Sequence, residues 1–283
     1  MPLLSMKSCA KVNLGLRIVG KRSDGYHDVE TILQTIDLSD EIEIDETSAG
    51  IEVVCDTPGV PEGQENLAFA AAKMTLEAAD STRGVRIKID KKIPSGGGLG
   101  GASSNAAATI KGLNRLFDLG LDEEKMCGIA RILGSDVPFF IRGGTALATG
   151  RGDRLQRMDV KKQLNLVVVF PGFPISTGWA YQKANSGLTR PDFDIKILAS
   201  ALERGDLSTL CKRLYNSFEE VVFGHYPDLF DMKKMMLQLG ALGALLSGSG
   251  SCVFCVVEGR DSGRTIVSQF TKEGLAAWET TTC

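Results

Sequence analysis

The sequence predicts an α+β protein of two domains. Strand-like stretches gather in clusters with antiparallel character and helix-like stretches gather in theirs, instead of alternating singly. The 283 residues are enough for two domains with substantial cores. After Gly150 to Arg154 the texture changes, from a half built around a glycine-rich run to one dominated by helix-like stretches. The expected division is a domain of residues 1–157 followed by one of residues 158–283.

In the first half, residues 9–19 alternate. Ala10, Val12, Leu14, Leu16 and Ile18 take one phase, and Lys11, Asn13, Gly15 and Arg17 take the other. A strand is expected there, with Lys11 and Asn13 on its polar face and Gly15 leaving room beside them. The turn-rich KRSDGYHD follows, then strands at ETILQTI, DEIEI and IEVVCD. Residues 66–79 carry Leu67, Ala70, Ala71, Met74 and Ala78 at helical spacing, with Asn66 suited to cap the start. A strand over residues 85–93, a helix over 103–117 and a helix over 122–133 ending at Gly134 complete this half.

In the second half, LNLVVVF reads as a buried strand that stops at Pro171. Helices are expected over residues 177–184, 194–203, 207–222 and 229–239. The strands ALLS and CVFCVVE flank a tight GSGS turn at residues 248–251, and a helix and a short strand close the chain. No repeat, low-complexity tract or long linker interrupts it.

The most informative segment is IPSGGGLGGASSNAAA, residues 93–108: the end of a strand, five glycines in six positions, then a helix-forming run. Glycine lets a backbone adopt positive φ repeatedly and approach a ligand closely. The helix that follows brings unpaired N–H groups and the positive end of its dipole to the same place. This is the outline of a phosphate cradle. It is not a Walker loop, because no Lys-Ser or Lys-Thr follows the glycines. An anion here would be held by backbone amides and the hydroxyls of Ser103 and Ser104, and a neutralising lysine must come from elsewhere. A plain flexible linker would not be framed by Val85, Ile87 and Ile89 on one side and a helix on the other. The GSGS turn reads as a hairpin connection, or as a lid on this loop.

Other candidates are single residues. Lys11 can supply the missing positive charge, or be an ordinary solvent-facing lysine. Asp136, in GSDVPFF ahead of Pro138, can cap a helix or accept a proton from a hydroxyl nucleophile. Tyr26 and His27, adjacent on a turn, can stack on a ring and read its edge by hydrogen bonds. His225 is expected to be structural or exposed.

The composition is that of an ordinary folded protein, 43% hydrophobic and 24% charged, with a formal net charge of −3. Nucleic-acid binding through a globally basic surface is not favoured. No apolar run reaches the roughly 20 residues that span a bilayer, and the opening MPLLSM is too short for a transit peptide, so no membrane association is expected. Seven cysteines scattered from Cys9 to Cys283 suggest reduced thiols and a cytoplasmic location. Cys252 and Cys255 lie in strand-like sequence without a second pair, which favours core thiols over a zinc site.

Three segments in order, AKVNLGL, PSGGGLGGASSNAA and LLSGSGSCVF, resemble the hallmarks of the GHMP kinase superfamily. The stretch AKVNLGLRIVGKRSDGYHDVETILQTIDLSDEI narrows the likeness to the branch acting on a cytidine diphosphate derivative of methylerythritol. ENLAFAAA, LGSDVPFFIRGGTALATGRGD and FPGFPISTGWAY also fall in the expected order, so the resemblance covers nearly the whole chain. It implies an N-terminal ribosomal-protein-like α+β domain and a C-terminal ferredoxin-like α+β domain with the active site in a cleft between them. It also implies ATP as phosphoryl donor, Mg2+ as companion ion and a small-molecule alcohol as acceptor, phosphorylated on its 2-hydroxyl.

Carried over residue by residue, the resemblance makes Lys11 and Asp136 the catalytic pair. Pro94, Ser95, Gly96, Gly97, Gly98, Leu99, Gly100, Gly101, Ala102, Ser103 and Ser104 would wrap the ATP phosphates, with Asn66 and Lys92 on the adenine side. Ser103 or Ser104 is the nearest candidate ligand for the ion. Asn13, Tyr26, His27, Thr177 and Tyr181 match substrate positions, with Tyr26 and Tyr181 suited to sandwich the cytosine. Two positions depart from the pattern: Ala102 stands where relatives often have a third glycine, and Tyr181 where some have phenylalanine. The rivals are another alcohol kinase of the superfamily and a catalytically silent nucleotide-binding protein. The GYH segment opposes the first, and intact Lys11 and Asp136 the second.

Overall fold

The computed structural model describes residues 4–184 and 193–283. Two compact units interleave along the chain. One comprises Met1–Ala10, Leu38–Ser95 and Gly100–Gly143, and the other Lys11–Asp37, Gly96–Leu99 and Gly144–Cys283. Two long strands, β1 (Leu4–Lys21) and β2 (His27–Thr47), contribute residues to both.

In the first unit, β4 (Gly84–Asp90) pairs antiparallel with the later part of β2, from Glu41 to Thr47, and parallel with β3 (Ile51–Val54). The inward side chains Ile42, Ile44, Val53, Val85, Ile87 and Ile89 pack against α1 (Leu67–Ala78) and α2 (Gly101–Phe117). The helices meet them with Ala68, Ala72, Leu76, Ala108, Leu113 and Phe117. Alanines at those points let two helices sit close on one sheet. Asn66 caps α1 as its sequence position suggests, accepting from the Ala68 N–H at 2.9 Å. The next helix, α3 (Glu123–Leu133), is capped by Asp122 and stops at Gly134. A short helix, α4 (Val137–Arg142), begins at Val137 with Pro138 in its first turn and packs on α2 and α3.

In the second unit, β5 (Thr145–Thr149) pairs antiparallel with the early part of β2, and β6 (Arg154–Met158) pairs with β5. A four-stranded antiparallel sheet follows the order β11 (Ala276–Thr281), β7 (Asn165–Phe170), β10 (Val253–Val257), β9 (Gly243–Leu246). Its core joins Val167, Val169, Val253 and Cys255 to Met232 and Met236 of α9 (Pro227–Gln238) and to Ile266 and Phe270 of α10 (Arg260–Lys272). Cys252 and Cys255 are buried free thiols, and burial pushes the Cys255 thiol up to about 12. The remaining helices are α5 (Thr177–Lys183), α6 (Ile195–Arg204), α7 (Leu207–Arg213) and α8 (Glu219–His225).

Three elements differ from the sequence reading. ETILQTI and DEIEI are one strand: alternation runs unbroken through Ile36, Leu38, Asp40, Ile42 and Ile44, all buried, so the intervening Asp37, Leu38 and Ser39 do not make a turn. The helix expected over residues 207–222 breaks at Leu214, because Tyr215 and Asn216 form a strand, β8, parallel to β1 at Gly15 and Leu16. The hairpin β5–β6, short and partly polar, carries no strong sequence signature and was not anticipated.

Candidate active site

Within the second unit, the segment Gly96–Leu99 is tied down almost wholly through its main chain. The Gly96 carbonyl accepts from Ile175 N at 3.1 Å, Gly97 from Cys252 N at 3.1 Å and Leu99 from Lys11 N at 2.9 Å. The Gly98 carbonyl accepts from the Lys11 ammonium and from the Ser247 hydroxyl, each at 3.0 Å. Glycine is required here on two counts. Gly98 has φ +76°, and a Cβ on it would lie 2.0 Å from the Ser247 carbonyl oxygen. The turn between β9 and β10, residues 247–252, therefore packs directly on the glycine-rich segment while also joining two antiparallel strands.

Lys11 is buried, at 5% exposure, which overturns its reading as a solvent-facing strand lysine. Its ammonium also donates to Asn13 Oδ1 at 2.7 Å, and Asn13 in turn donates to the Thr31 hydroxyl at 2.7 Å. Asn13 is thus fixed from both ends and presents its oxygen to the lysine. A Cβ on Gly248 would stand 3.3 Å from both Lys11 Nζ and Asn13 Oδ1, so the second glycine turn closes on the same two side chains. Asn216 holds that turn, donating to the carbonyls of Leu246 at 2.9 Å and Gly248 at 2.7 Å. Thr177, at the start of α5, lies 3.0 Å from the Ser249 hydroxyl.

The aromatic candidates are in the same unit. His27 stacks on Tyr181, with ring centroids 5.1 Å apart and planes 24° from parallel, and Tyr181 meets Phe218 edge-on. Burial, with help from the Lys21 charge, lowers the His27 pKa below its ordinary value, which favours the neutral imidazole. Tyr26 is 53% exposed, and the Arg151 guanidinium lies over its ring at 3.9 Å. The turn carrying it is shaped by Arg22, which pairs with Asp24 and Asp28, and by the Tyr26 N–H donated to Asp24.

In the first unit, α2 starts at Gly101 after Gly100, whose φ of +71° turns the chain into the helix. No side chain caps this end and no acidic residue occupies its first turn, so the leading N–H groups keep their attraction for an anion. Ser103 is half-buried. Ser104 is buried, donating its hydroxyl to the Cys9 carbonyl at 2.6 Å and accepting from Ser8 at 2.8 Å. The Asn66 amide donates to the Pro61 carbonyl besides capping α1. Lys92 has an exposed side chain, while its N–H binds Asp40. Pro94 is half-buried, and Ser95 and Ala102 are exposed at either side of the loop.

Asp136 is half-buried at the start of α4, at the cap position but without the side-chain cap hydrogen bond. At the other end of this helix, Lys111 of α2 donates to the Phe140 carbonyl at 2.9 Å. Burial lowers the pKa of this lysine. A cation at the carbonyl end of a helix is favourable, so Lys111 anchors the element that carries Asp136. Sequence reasoning missed Lys111, Asn216, Asp40 and Arg151. Only Asp40 left a usable signal, an acidic residue in the inward phase of a strand.

Residues 66–144 match the GHMP kinases N terminal domain model and residues 198–276 match the GHMP kinases C terminal model. The chain belongs to the GHMP kinases. Within them it falls with the 4-diphosphocytidyl-2-C-methyl-D-erythritol kinases. It is 43% identical over 260 residues to that enzyme of Acetivibrio thermocellus, covering 91% of each chain. It is 44% identical over 263 residues to that of Geobacter sulfurreducens, covering 93% of this chain and 92% of the relative. A crystal structure of 4-(cytidine 5'-diphospho)-2C-methyl-D-erythritol kinase superimposes with TM-score 0.86 at 36% identity, covering 99% of each chain. The homoserine kinase of Cytophaga hutchinsonii, at TM-score 0.77 and 18% identity, shares the fold.

Proposed function

We propose that this chain transfers the γ-phosphoryl group of ATP to the 2-hydroxyl of 4-diphosphocytidyl-2-C-methyl-D-erythritol, in the methylerythritol phosphate route to isoprenoid precursors. The observation that carries the reading is the Lys11 ammonium, buried and bonded to the Gly98 carbonyl at 3.0 Å within the glycine-rich segment. It supplies the positive charge that this loop lacks in its own sequence. The family relationship and the GYH segment favour the cytidine substrate over the alcohols of other GHMP kinases.

Phosphoryl transfer asks a protein mainly for positioning and charge stabilisation. In this reading the segment from Pro94 to Ser104 and the start of α2 hold the phosphates through main-chain N–H groups. Lys11 stabilises charge on the γ-phosphoryl oxygens, and Asp136 accepts or orients the 2-hydroxyl proton. Asn13 and Thr177 steady the alcohol, Asn66 and Lys92 line the adenine side, and Tyr26, His27 and Tyr181 receive the cytosine. A neutral His27 offers one donor and one acceptor to the base edge.

A magnesium ion suits this set of groups, since hard cations take oxygen donors and commonly rely on substrate phosphates. Ser103 is the protein hydroxyl we assign to it, because the Ser104 hydroxyl already bonds Cys9 and Ser8. When bound, the ion neutralises phosphate charge. Among the described residues no helix is long and apolar enough to cross a membrane. All seven cysteines are free thiols, which supports our placement of the protein in the cytoplasm. In sequence order we assign residues 1–157 and 158–283 to the N- and C-terminal GHMP domains.

The test is a coupled assay of ADP release with ATP and a panel of the cytidine substrate, homoserine and mevalonate. Phosphorus NMR of the product then locates the new ester. Turnover confined to the cytidine substrate, with the ester at the 2-position, is expected. Preference for another alcohol, or nucleotide binding without any phosphorylated product, would overturn the reading.

A further inference from the structure

Asp40 sits fully buried inside the first unit, where the alternation of β2 calls for an apolar residue, and its carboxylate is completely engaged. Oδ1 accepts from two successive main-chain groups, Lys92 N at 2.7 Å and Ile93 N at 2.8 Å. Oδ2 accepts from the Lys91 ammonium, whose side chain is only 5% exposed, and from Asn105 Nδ2 at 2.8 Å. Lys91 also reaches Asn105 Oδ1 at 3.3 Å, and Asn105 donates to the Ser8 hydroxyl at 2.9 Å. Ser8 donates to Ser104, which donates to the Cys9 carbonyl.

Both flanks of the glycine-rich segment are gripped by this network. Lys92 and Ile93 are the last residues before Pro94, and Ser104 and Asn105 are the fourth and fifth residues of α2. A buried ion pair of this kind contributes little net stability over an apolar pair of the same size. What it can do is fix geometry, because each partner left unsatisfied is costly. The Lys91 ammonium also comes close to Gly101, where a Cβ would stand 3.0 Å from Nζ. A cation at the start of a helix is unfavourable unless countered. Asp40 counters it, so α2 keeps its start free for an anion without losing the clamp.

We infer that Asp40 is a positioning residue for the nucleotide: through Lys91, Asn105 and the main chain at Lys92 and Ile93 it staples the two ends of the glycine loop at the separation that ATP requires. The inference rests on the reading of that loop as the ATP site. Releasing the staple frees loop residues in the unliganded protein, and ATP must then order them on binding. Freeing one residue corresponds to about a tenfold loss of affinity. The acceptor substrate does not touch these groups in the proposed reading, so its binding is left unchanged.

The experiment measures both Michaelis constants and calorimetric binding of a non-hydrolysable ATP analogue for the full chain. Asp40→Asn is expected to raise the ATP constant by about tenfold, with the cytidine-substrate constant within about twofold of the parent. Because a lone buried Lys91 can unfold the protein, the double variant Asp40→Asn with Lys91→Met removes both charges. It is expected to melt near the parent temperature while keeping the raised ATP constant. A well-folded double variant with unchanged ATP binding overturns the inference. If neither variant folds, Ser8→Ala decides. It loosens only the α2 flank, at Ser104 and Asn105, and about a threefold weaker ATP affinity supports the staple while parental affinity overturns it. A parent protein that fails to bind the ATP analogue would instead refute the reading of the loop itself.

Discussion

Around Gly96–Leu99 the segment makes its polar contacts through its main-chain carbonyls, whereas around Tyr26 the contacts are ion pairs and ring faces on an exposed turn. The first arrangement leaves no space: adding a methyl group at Gly98 already collides with Ser247. The second can adapt, because exposed pairs such as Arg22 with Asp24 are individually weak and screened by solvent. An anion is much the same in every nucleotide and suits a rigid cradle. A base is selected by its face and edge, and side chains supply both. The comparison therefore separates two kinds of effect. Changes at the cradle should alter turnover, and changes at the aromatic turn should alter only the binding of the cytidine substrate.

The largest effect is expected from the charged pair of the proposed mechanism. Lys11→Ala and Asp136→Asn should each lower kcat by about a hundredfold or more, the scale set by electrostatic and acid–base groups. Steady-state kinetics on folded, purified variants makes the measurement. Near-parental kcat in both would remove them from the chemistry and dissolve the distinction between the two regions.

How much of this was legible beforehand differs between the same regions. The cradle was readable because glycine, strand and helix leave compositional marks, and the caps at Asn66, Asp122 and Gly134 appear where those residue types stand. The interior bonding was not. Asn216 lies in a stretch whose spacing looks helical, and its place in a strand comes from pairing with Leu16, two hundred residues earlier, while its side chain reaches the carbonyls of Leu246 and Gly248. Asp40 opens the expected strand DEIEI, and its phase in β2 puts it indoors; an acidic residue in an apolar phase implies buried donors that the local sequence does not name. Arg151 over Tyr26 joins two turns far apart in the chain, and no periodicity reports such a pair.

A smaller and more selective effect is expected at Tyr26. Losing one stacking face removes roughly 1–3 kcal/mol per base, so Tyr26→Ala should raise KM for the cytidine substrate by about tenfold or more. The ATP constant should stay within about twofold, since the cradle shares no contact with this ring in the proposed reading. An equal rise in both constants would show that the turn supports the cradle as well, and the contrast between rigid and adaptable regions would fail.

The smallest effect concerns pH and His27. Its folded-state pKa lies below the ordinary 6.5, because burial beside Tyr181 and the nearby Lys21 charge disfavour the imidazolium. In the window just below 6.5 the unfolded chain binds a proton that the folded chain declines. Stability is therefore full above that value and declines as pH falls towards the folded pKa. Melting temperatures taken down this window should show a shallow fall that His27→Asn flattens. Base recognition should follow with a further lag, since the imidazole keeps its acceptor until the folded pKa is reached. KM for the cytidine substrate should then hold steady from neutral pH to below 6.5 and rise only under more acid conditions, with the ATP constant flat throughout. A rise in KM centred at 6.5 or above would mean that His27 titrates like a solvent-exposed imidazole, and its stacked, neutral role against the base would have to be given up.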